Sequence, residues 1–271
     1  MAGTGPAIAL SLEIRRLILE QSKRANVGHI GSCLSVADIL AALFGDVLRI
    51  DSADDPERDR FILSKGHAAL ALYAALAVTG RLDTETLDTF CTDGTALGTH
   101  PEAAVTGIDF STGSLGQGLS MGAGAALAAR MQGSGRRVFV LASDAECNEG
   151  SVWEAVMFAA HHDLANLVAI VDLNGQQALG YTDDVLSLSP LGDRWRAFGW
   201  DVQEVDGHNV RALVQTIEGL DTGAGRPHAL IARTTFGKGV SYMESKIAWH
   251  YKPMSDDDYA LALTEIATVS S

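Results

Sequence analysis

Two apolar segments with a helical pattern between them constrain the fold of this 271-residue chain more than any other feature. The first segment, 138–143, is followed by Asp144, and the second, 167–173, is followed by Asn174. Residues 151–163 carry apolar side chains at helical spacing. A strand, a helix and a strand form a βαβ unit, whose crossover makes the two strands parallel and neighbouring. The sequence therefore predicts Asp144 and Asn174 together at the carboxyl ends of adjacent strands, where open α/β sheets bind ligands.

The donor atoms expected at this edge of the sheet are all oxygens. Asp144 offers a carboxylate, Asn174 offers an amide oxygen, and a nearby backbone carbonyl completes the set. Hard oxygen donors suit Mg²⁺ or Ca²⁺ holding a phosphate group better than they suit Zn²⁺. The pattern thus indicates a metal–phosphate site.

Helical and strand patterns alternate along the rest of the chain. Helices are predicted at 7–25, from an N-cap at Ser35 to about 48, at 68–79, from the turn 111–118 to about 131, and at 209–218. Further strands are predicted at 61–64, 200–205 and 229–234, and a long loop at 237–253 precedes a short terminal helix. This alternation predicts an α/β fold: a doubly wound, mainly parallel sheet with helices on both faces, in a single domain over 1–271.

Acidic residues dominate the charge, with 34 Asp and Glu against 20 Lys and Arg and a formal net charge of −14. That balance argues against nucleic acids and anionic membranes as partners. Cys33, Cys91 and Cys147 are widely spaced and odd in number, which argues against a disulfide framework. No apolar run approaches the roughly 20 residues that span a bilayer. We therefore expect a cytoplasmic protein.

Four histidines lie in loops or at the ends of elements: His29, His67, His100 and His250. One such histidine is ordinarily structural, but four favour binding to phosphate or substrate hydroxyls and proton transfer near neutral pH. No pair has the spacing of metal ligands on one helix. The glycine-rich turn 111–118 is a weaker signal, because it lacks the Gly-Lys-Ser/Thr ending of a P-loop and follows no clear strand. Taken alone, it is better explained as a tight turn before a closely packed helix.

Together these segments resemble the N-terminal, diphosphate-binding domain of transketolases, which are thiamine-diphosphate enzymes. The resemblance covers about residues 10–261, and its matching stretches are Gly28-His29, 59–67, His100-Pro101-Glu102, 112–118 and 148–155. Several motifs in the same order make a specific signal. The Asn-Glu-Gly and His-Pro elements favour transketolase over 2-oxoacid dehydrogenase subunits.

The resemblance implies a role for each matching position. Asp144, Asn174 and the backbone carbonyl of Gln176 would hold Mg²⁺ or Ca²⁺ against the diphosphate of the cofactor. The residues implied to surround that diphosphate are His67 and the backbone of Gly113, Ser114 and Ala145.

Further implied roles concern the reacting end of the cofactor and the substrate. The backbone of Leu115 would contact the aminopyrimidine, and His250 would lie near the diphosphate and the reacting centre. His29 and His100 would bind the hydroxyls of a ketose donor and assist proton transfer. Glu149 would belong to a carboxylate relay that couples the two sites of a dimer.

A full transketolase continues with a pyrimidine-binding domain and a C-terminal domain, and the glutamate that activates the aminopyrimidine lies in that portion. The resemblance therefore implies a split enzyme, active only with a separate C-terminal subunit, in an α2β2 heterotetramer. Its expected reaction is transfer of a two-carbon ketol unit from a ketose donor to an aldose, or aldose phosphate, acceptor.

The chain departs from the family at its metal signature, which is Gly-Asp-Gly in the family and Ser143-Asp144-Ala145 here. A Cβ at Ala145 would crowd the diphosphate, and a positive φ there would be strained. This departure leaves open a non-catalytic, regulatory paralogue. An acyloin-type or 2-oxoacid-decarboxylating relative also stays open, and a nucleotide-binding α/β domain has weaker support because the glycine-rich turn lacks its flanking pattern.

Overall fold

The computed structural model describes residues 5–223 and 225–268. The predicted domain limits at 1 and 271 lie outside the described residues. Within the described part of the chain, no helix is long and apolar enough to cross a membrane.

The centre of the fold is a sheet whose strands all run parallel, in the order β1-β2-β3-β7-β6. Its strands are β1 (Arg60–Leu63), β2 (Val138–Ser143), β3 (Leu167–Leu173), β6 (Asp201–Asp206) and β7 (His228–Arg233). A small antiparallel hairpin, β4 (Gln176–Gln177) and β5 (Gly180–Tyr181), follows β3.

Helices connect the strands and cover the sheet. They are α1 (Gly5–Ala25), α2 (Ile30–Ser35), α3 (Ala37–Ala42), α4 (Ala69–Val78), α5 (Thr84–Leu87), α6 (Gln117–Met131), α7 (Gly150–His161), α8 (Thr182–Leu186), α9 (Leu191–Ala197), α10 (Val210–Glu218) and α11 (Asp256–Thr268). A wider turn, Leu43–Val47, extends α3, and tight 3₁₀ turns occupy Gly66–Ala68, Ala145–Asn148 and Ile247–His250.

Successive residues of the central strands contribute to two separate hydrophobic cores. Phe139 and Leu141 of β2 face one core, together with α1, α3, α4 and α10. Val138 and Val140 face the other core, together with α6, α7 and α9. Because side chains alternate along a strand, both faces of the sheet are buried under helices. The predicted doubly wound α/β fold is confirmed.

Helix α6 lies unusually close to the sheet because glycines face it. A Cβ built on Gly118 would be 2.3 Å from Ser64 Oγ, and one built on Gly122 would be 2.3 Å from Val140 Cγ2. By contrast, a Cβ on Gly124 would meet nothing within 4 Å. The small residues of the buried face of α6 therefore serve core packing.

Several predicted boundaries were wrong. Helix α2 begins at Ile30, so Ser35 lies at its last residue rather than at an N-cap, and its hydroxyl donates to Asp172. The predicted loop 237–253 contains the turn Ile247–His250. The hairpin and the helices α8 and α9 had no predicted counterpart.

Candidate active site

Asp144 lies at the carboxyl end of β2, and backbone N–H groups fix its carboxylate. Ala145 donates to Oδ1 at 2.9 Å, and Gly175 donates to Oδ2 at 2.8 Å. Gly175 has a φ of 75°, a left-handed conformation that glycine adopts without strain and that turns the chain after β3 toward Asp144. Strands β2 and β3 pair in parallel, so the predicted adjacency of the two strands is confirmed.

Asn174 presents its amide in a defined orientation. Its Nδ2 donates to Asp172 Oδ2 at 2.9 Å, and its Oδ1 accepts the N–H of Gln176 at 3.0 Å. A carboxylate only accepts hydrogen bonds, so the amide oxygen of Asn174 must face away from Asp172. Gln176 is buried, and its Oε1 has no hydrogen-bond partner in the described part of the chain. The other two residues predicted to bind the metal, Asn174 and Gln176, thus lie on one short segment beside Asp144.

These donors fit a hard cation. Among residues 5–223 and 225–268, no group of three or more His, Cys, Asp or Glu side chains forms a metal cluster. One carboxylate with amide and backbone oxygens suits Mg²⁺ or Ca²⁺. Burial, and then the charge of Asp172, raise the pKa of Asp144 to about 7. A divalent cation at this carboxyl would oppose that shift.

Ala145 is not strained. It opens the 3₁₀ turn Ala145–Asn148 and does not belong to the described residues with positive φ. The strain that a positive φ would cause therefore does not arise at Ala145, because a helical conformation accepts a Cβ. Its N–H donates to Asp144.

The glycine-rich turn contacts the loop that carries His67. A Cβ built on Gly66 would lie 2.9 Å from the backbone nitrogen of Gly113, so the two backbones nearly touch. Glu146 holds the end of the turn, because it accepts the N–H of Gly116 at 2.7 Å and the hydroxyl of Ser64 at 2.5 Å. Ser114 and Leu115 follow Gly113 in this turn and precede α6.

All four loop histidines gather at this edge of the sheet. The rings of His29 and His67 are 5.4 Å apart, and the N–H of His29 donates to the carbonyl of His250 at 3.0 Å. The ring of His100 lies against Gly113, since a Cβ built there would be 3.1 Å from its Cδ2. The sequence could not show this convergence, which depends on loops far apart in the chain.

The environment keeps three of these imidazoles neutral at physiological pH. Burial, and then the charge of Lys65, lower the pKa of His67 well below its usual value and that of His250 to about 4. Burial also lowers the pKa of His29. The Nδ1 atoms of His29 and His250 are buried without a partner in the described residues. Neutral imidazoles with an unused ring nitrogen are suited to hydrogen bonding and proton transfer with a ligand.

Glu149 lies at the other side of the glycine-rich turn. It directly precedes α7, and a Cβ built on Gly116 would be 2.7 Å from its Cβ. Its side chain is exposed. The position leaves its carboxylate accessible at the surface of this chain.

Three buried charged residues at the site had no predicted role: Lys65, Glu146 and Asp172. Lys65 Nζ donates to Asp172 Oδ2 at 2.5 Å, with side chains 1% and 0% exposed. The available signal was a charged residue within an apolar strand or two to three residues after one. A charge in such a place is rarely buried unless it is paired.

Two cavities differ in what they can bind. One of about 390 Å³ is lined by Asp144, Asn174 and Arg233, at the edge of the sheet where the metal site is predicted. A larger one, about 910 Å³, is lined by Arg15 and Asp38 among others. Arg15 and Asp38 pair with each other at 2.6 Å, whereas the smaller cavity presents the oxygen donors of Asp144 and Asn174.

A parallel α/β sheet with oxygen donors, a glycine-rich turn and histidines at its carboxyl edge is the arrangement expected of a domain that binds a metal and a phosphorylated ligand. The chain belongs to the family of transketolase thiamine diphosphate binding domains, whose family model matches residues 9–267. The predicted resemblance is confirmed.

Similar proteins include transketolase subunits of nearly the same length. The chain is 43% identical to the 6-deoxy-6-sulfo-D-fructose transketolase subunit of Clostridium sp. (strain MSTE9), over 93% of each chain. It is 42% identical to one of the subunits of the apulose-4-phosphate transketolase of Phocaeicola vulgatus, over 93% of this chain and 91% of that one. These relatives confirm the predicted class, an N-terminal subunit of a two-component transketolase and hence a transferase.

Solved structures of complete transketolases share the fold. The transketolase of Campylobacter jejuni superposes with a TM-score of 0.90 at 27% identity, over 98% of this chain. The chain spans 43% of that longer protein.

Proposed function

We propose that this chain binds thiamine diphosphate with Mg²⁺ or Ca²⁺ and, with a separate C-terminal subunit, transfers a two-carbon ketol unit from a ketose to an aldose or aldose phosphate. The observation that carries the proposal is the convergence of four loop histidines on the edge where Asp144 and Asn174 lie. In this proposal the chain is a single diphosphate-binding domain, and the pyrimidine-binding and C-terminal domains belong to the partner.

The metal is held by Asp144, Asn174 and the backbone carbonyl of Gln176. The fixed carboxylate and the oriented amide support these roles, because neither group needs to rearrange to offer an oxygen. A bound cation also offsets the cost of keeping Asp144 charged in a buried site beside Asp172.

The diphosphate lies against His67 and the backbone of Gly113, Ser114 and Ala145, and the aminopyrimidine lies against the backbone of Leu115. Support comes from the contact between Gly66 and Gly113, which brings the histidine loop and the glycine-rich turn together. When bound, the cofactor supplies a nucleophilic carbon and a ring that accepts electrons as a C–C bond breaks.

Neutral histidines then orient the donor and move protons. His29 and His100 bind hydroxyls of the ketose, and His250 acts near the reacting centre. The lowered pKa of His29 and of His250 supports these roles, since a neutral imidazole donates from one ring nitrogen and accepts at the other.

Glu149 is assigned to the carboxylate relay of an α2β2 heterotetramer. Its exposure beside the glycine-rich turn supports contact with a second chain.

Three free cysteines, two of them buried, agree with a reducing cytoplasm.

The relatives named above act on a sulfonated ketose and on apulose 4-phosphate, according to their names. For this chain we propose the wider class, ketose donors and aldose or aldose phosphate acceptors.

The test is reconstitution of the purified chain with its C-terminal partner. Ketol transfer is expected only when the partner, thiamine diphosphate and Mg²⁺ are all present. His29→Ala and His100→Ala should each reduce transfer strongly, whereas the exposed surface control His161→Ala should not. An assembled complex that binds the cofactor but transfers no ketol unit from any ketose would refute the proposal.

The same variants separate the alternative with a 2-oxoacid donor. A keto acid such as pyruvate lacks the hydroxyls that His29 and His100 are proposed to bind, so full activity after both substitutions would favour that alternative. The ground for a non-catalytic paralogue is weaker, because Ala145 adopts an unstrained conformation. Calorimetry that detects no cofactor binding in the assembled complex would restore it.

A further inference from the structure

Asp172 connects four segments of the chain behind the metal-binding edge. It belongs to β3 and is fully buried. Its carboxylate accepts hydrogen bonds from Ser35 Oγ at 2.7 Å, Lys65 Nζ at 2.5 Å, Asn174 Nδ2 at 2.9 Å and Thr234 Oγ1. These donors come from the end of α2 and from the segments that follow β1, β3 and β7.

Asp172 also contacts both side-chain donors of the proposed metal site. Its carboxylate accepts from the amide of Asn174, and its backbone carbonyl accepts the N–H of Asp144 at 3.1 Å. An asparagine amide can bind a metal only through oxygen, and the two ends of the amide have the same shape. An acceptor at Asp172 favours the rotamer that leaves Asn174 Oδ1 toward the metal.

Lys65 balances the charge of this carboxylate. Its ammonium group contacts Asp172 Oδ2 and, at 3.4 Å, the carbonyl of Ser32. Because Lys65 is paired with Asp172, the carboxylate of Asp144 is held by the backbone N–H groups of Ala145 and Gly175, and a divalent cation would favour its charged form.

We propose that Asp172 is a positioning residue for the metal site: it fixes the amide of Asn174 with the oxygen toward the cation, and Lys65 supplies its countercharge. This inference rests on the proposed function. Outer-shell partners of metal ligands typically change metal affinity by about 10- to 100-fold when they are removed.

The test compares two double variants of the full chain. Lys65→Met/Asp172→Asn and Lys65→Met/Asp172→Leu both remove the ion pair, so neither leaves an unpaired buried charge. Only the first keeps an acceptor for Asn174: the oxygen of the new amide can face Ser35 and Asn174, while its NH₂ faces the hydroxyl of Thr234, which can accept. The backbone contact to Asp144 is the same in both.

Mn²⁺ affinity is measured by electron paramagnetic resonance with thiamine diphosphate present, alongside the thermal midpoint of each protein. The variant with Asp172→Asn should bind Mn²⁺ within a fewfold of the unchanged chain. The variant with Asp172→Leu should bind about 10- to 100-fold more weakly at a similar thermal midpoint. Asp172→Val replaces Asp172→Leu if that variant does not fold. Thr234→Val is the matched control, since it removes one donor to Asp172 while the hydroxyl of Thr234 makes no hydrogen bond to Asn174 among the described residues.

Equal Mn²⁺ affinity in the two double variants would overturn the proposal, whether both were weakened or both unchanged. If both were weakened, the ion pair would set the affinity, and if both were unchanged, no member of this network would. Failure of the unchanged chain to bind Mn²⁺ is a different outcome. It would refute the proposed metal site itself.

Discussion

Replacing Gly122 by alanine places a methyl group where α6 approaches β2 most closely. The new Cβ would lie 2.3 Å from Val140 Cγ2, against 3.4 Å from Leu167 Cδ1 and 3.7 Å from Ile62 Cδ1. Val140 is fully buried and cannot swing into solvent. The overlap is therefore with one methyl group of one side chain, and Val140→Ala removes that methyl.

The magnitudes follow from packing. Overpacking at Gly122→Ala costs about 1–3 kcal/mol, which the better helix propensity of alanine reduces by about 1 kcal/mol. Val140→Ala alone leaves a cavity and costs about 2–3 kcal/mol. In the double variant the new methyl fills part of that cavity. We expect the double variant to be more stable than Val140→Ala alone, with a coupling of about 1–3 kcal/mol in its favour.

Urea denaturation of the four proteins, followed by tryptophan fluorescence, measures this coupling. Gly124→Ala is the control, because a Cβ there meets nothing within 4 Å. It should stabilise the chain by about 0.5–1 kcal/mol and add independently to Val140→Ala. Strict additivity of Gly122→Ala and Val140→Ala would refute the packing described for α6.

Three other predictions concern charge. Burial alone would raise the pKa of Asp38, but the hydrogen bond from His208 and the charge of Arg15 lower it to about 2. About 2 kcal/mol of stability that is present above pH 4 should therefore be lost as the pH falls toward 2. Urea denaturation should show a flatter dependence of stability on pH for Asp38→Asn than for the unchanged chain. Burial lowers the pKa of His250 from 6.5 to about 4. The stability that the neutral imidazole contributes should therefore be complete above pH 6.5 and be lost as the pH falls toward 4. An NMR titration midpoint near 6.5 for His250 in the folded chain would contradict this prediction. Asp144→Ala should abolish Mn²⁺ binding and also lower the thermal midpoint, because the N–H groups of Ala145 and Gly175 lose their acceptor. Unchanged Mn²⁺ affinity would count against the metal site.

The parts of the fold that repeat a simple period could be predicted from the sequence. Strands β2 and β3 are apolar over residues 138–142 and 167–171, and α1 and α10 show clear helical spacing. The adjacency of Asp144 and Asn174 followed from the crossover rule alone.

Other features depend on contacts between distant segments, which no local pattern reveals. Ser35 resembled an N-cap because it is a small hydroxyl residue before an apolar run, yet its hydroxyl bonds to Asp172, 137 residues later. The pair of Lys65 and Asp172 was equally invisible, since each charge is buried only because the other is present. The short helices α8 and α9 have too few turns to show a period.

The unstrained Ala145 has a consequence for how chains of this kind are recognised by sequence pattern. The residue at position 145 has a helical backbone conformation that directs its N–H toward Asp144, and any small L-residue can adopt that conformation. If the proposed metal site is correct, a search pattern that insists on glycine after the aspartate will therefore discard functional subunits. A pattern that requires the aspartate, the asparagine thirty residues later and the loop histidines, and that leaves the next position free among small residues, would retain them.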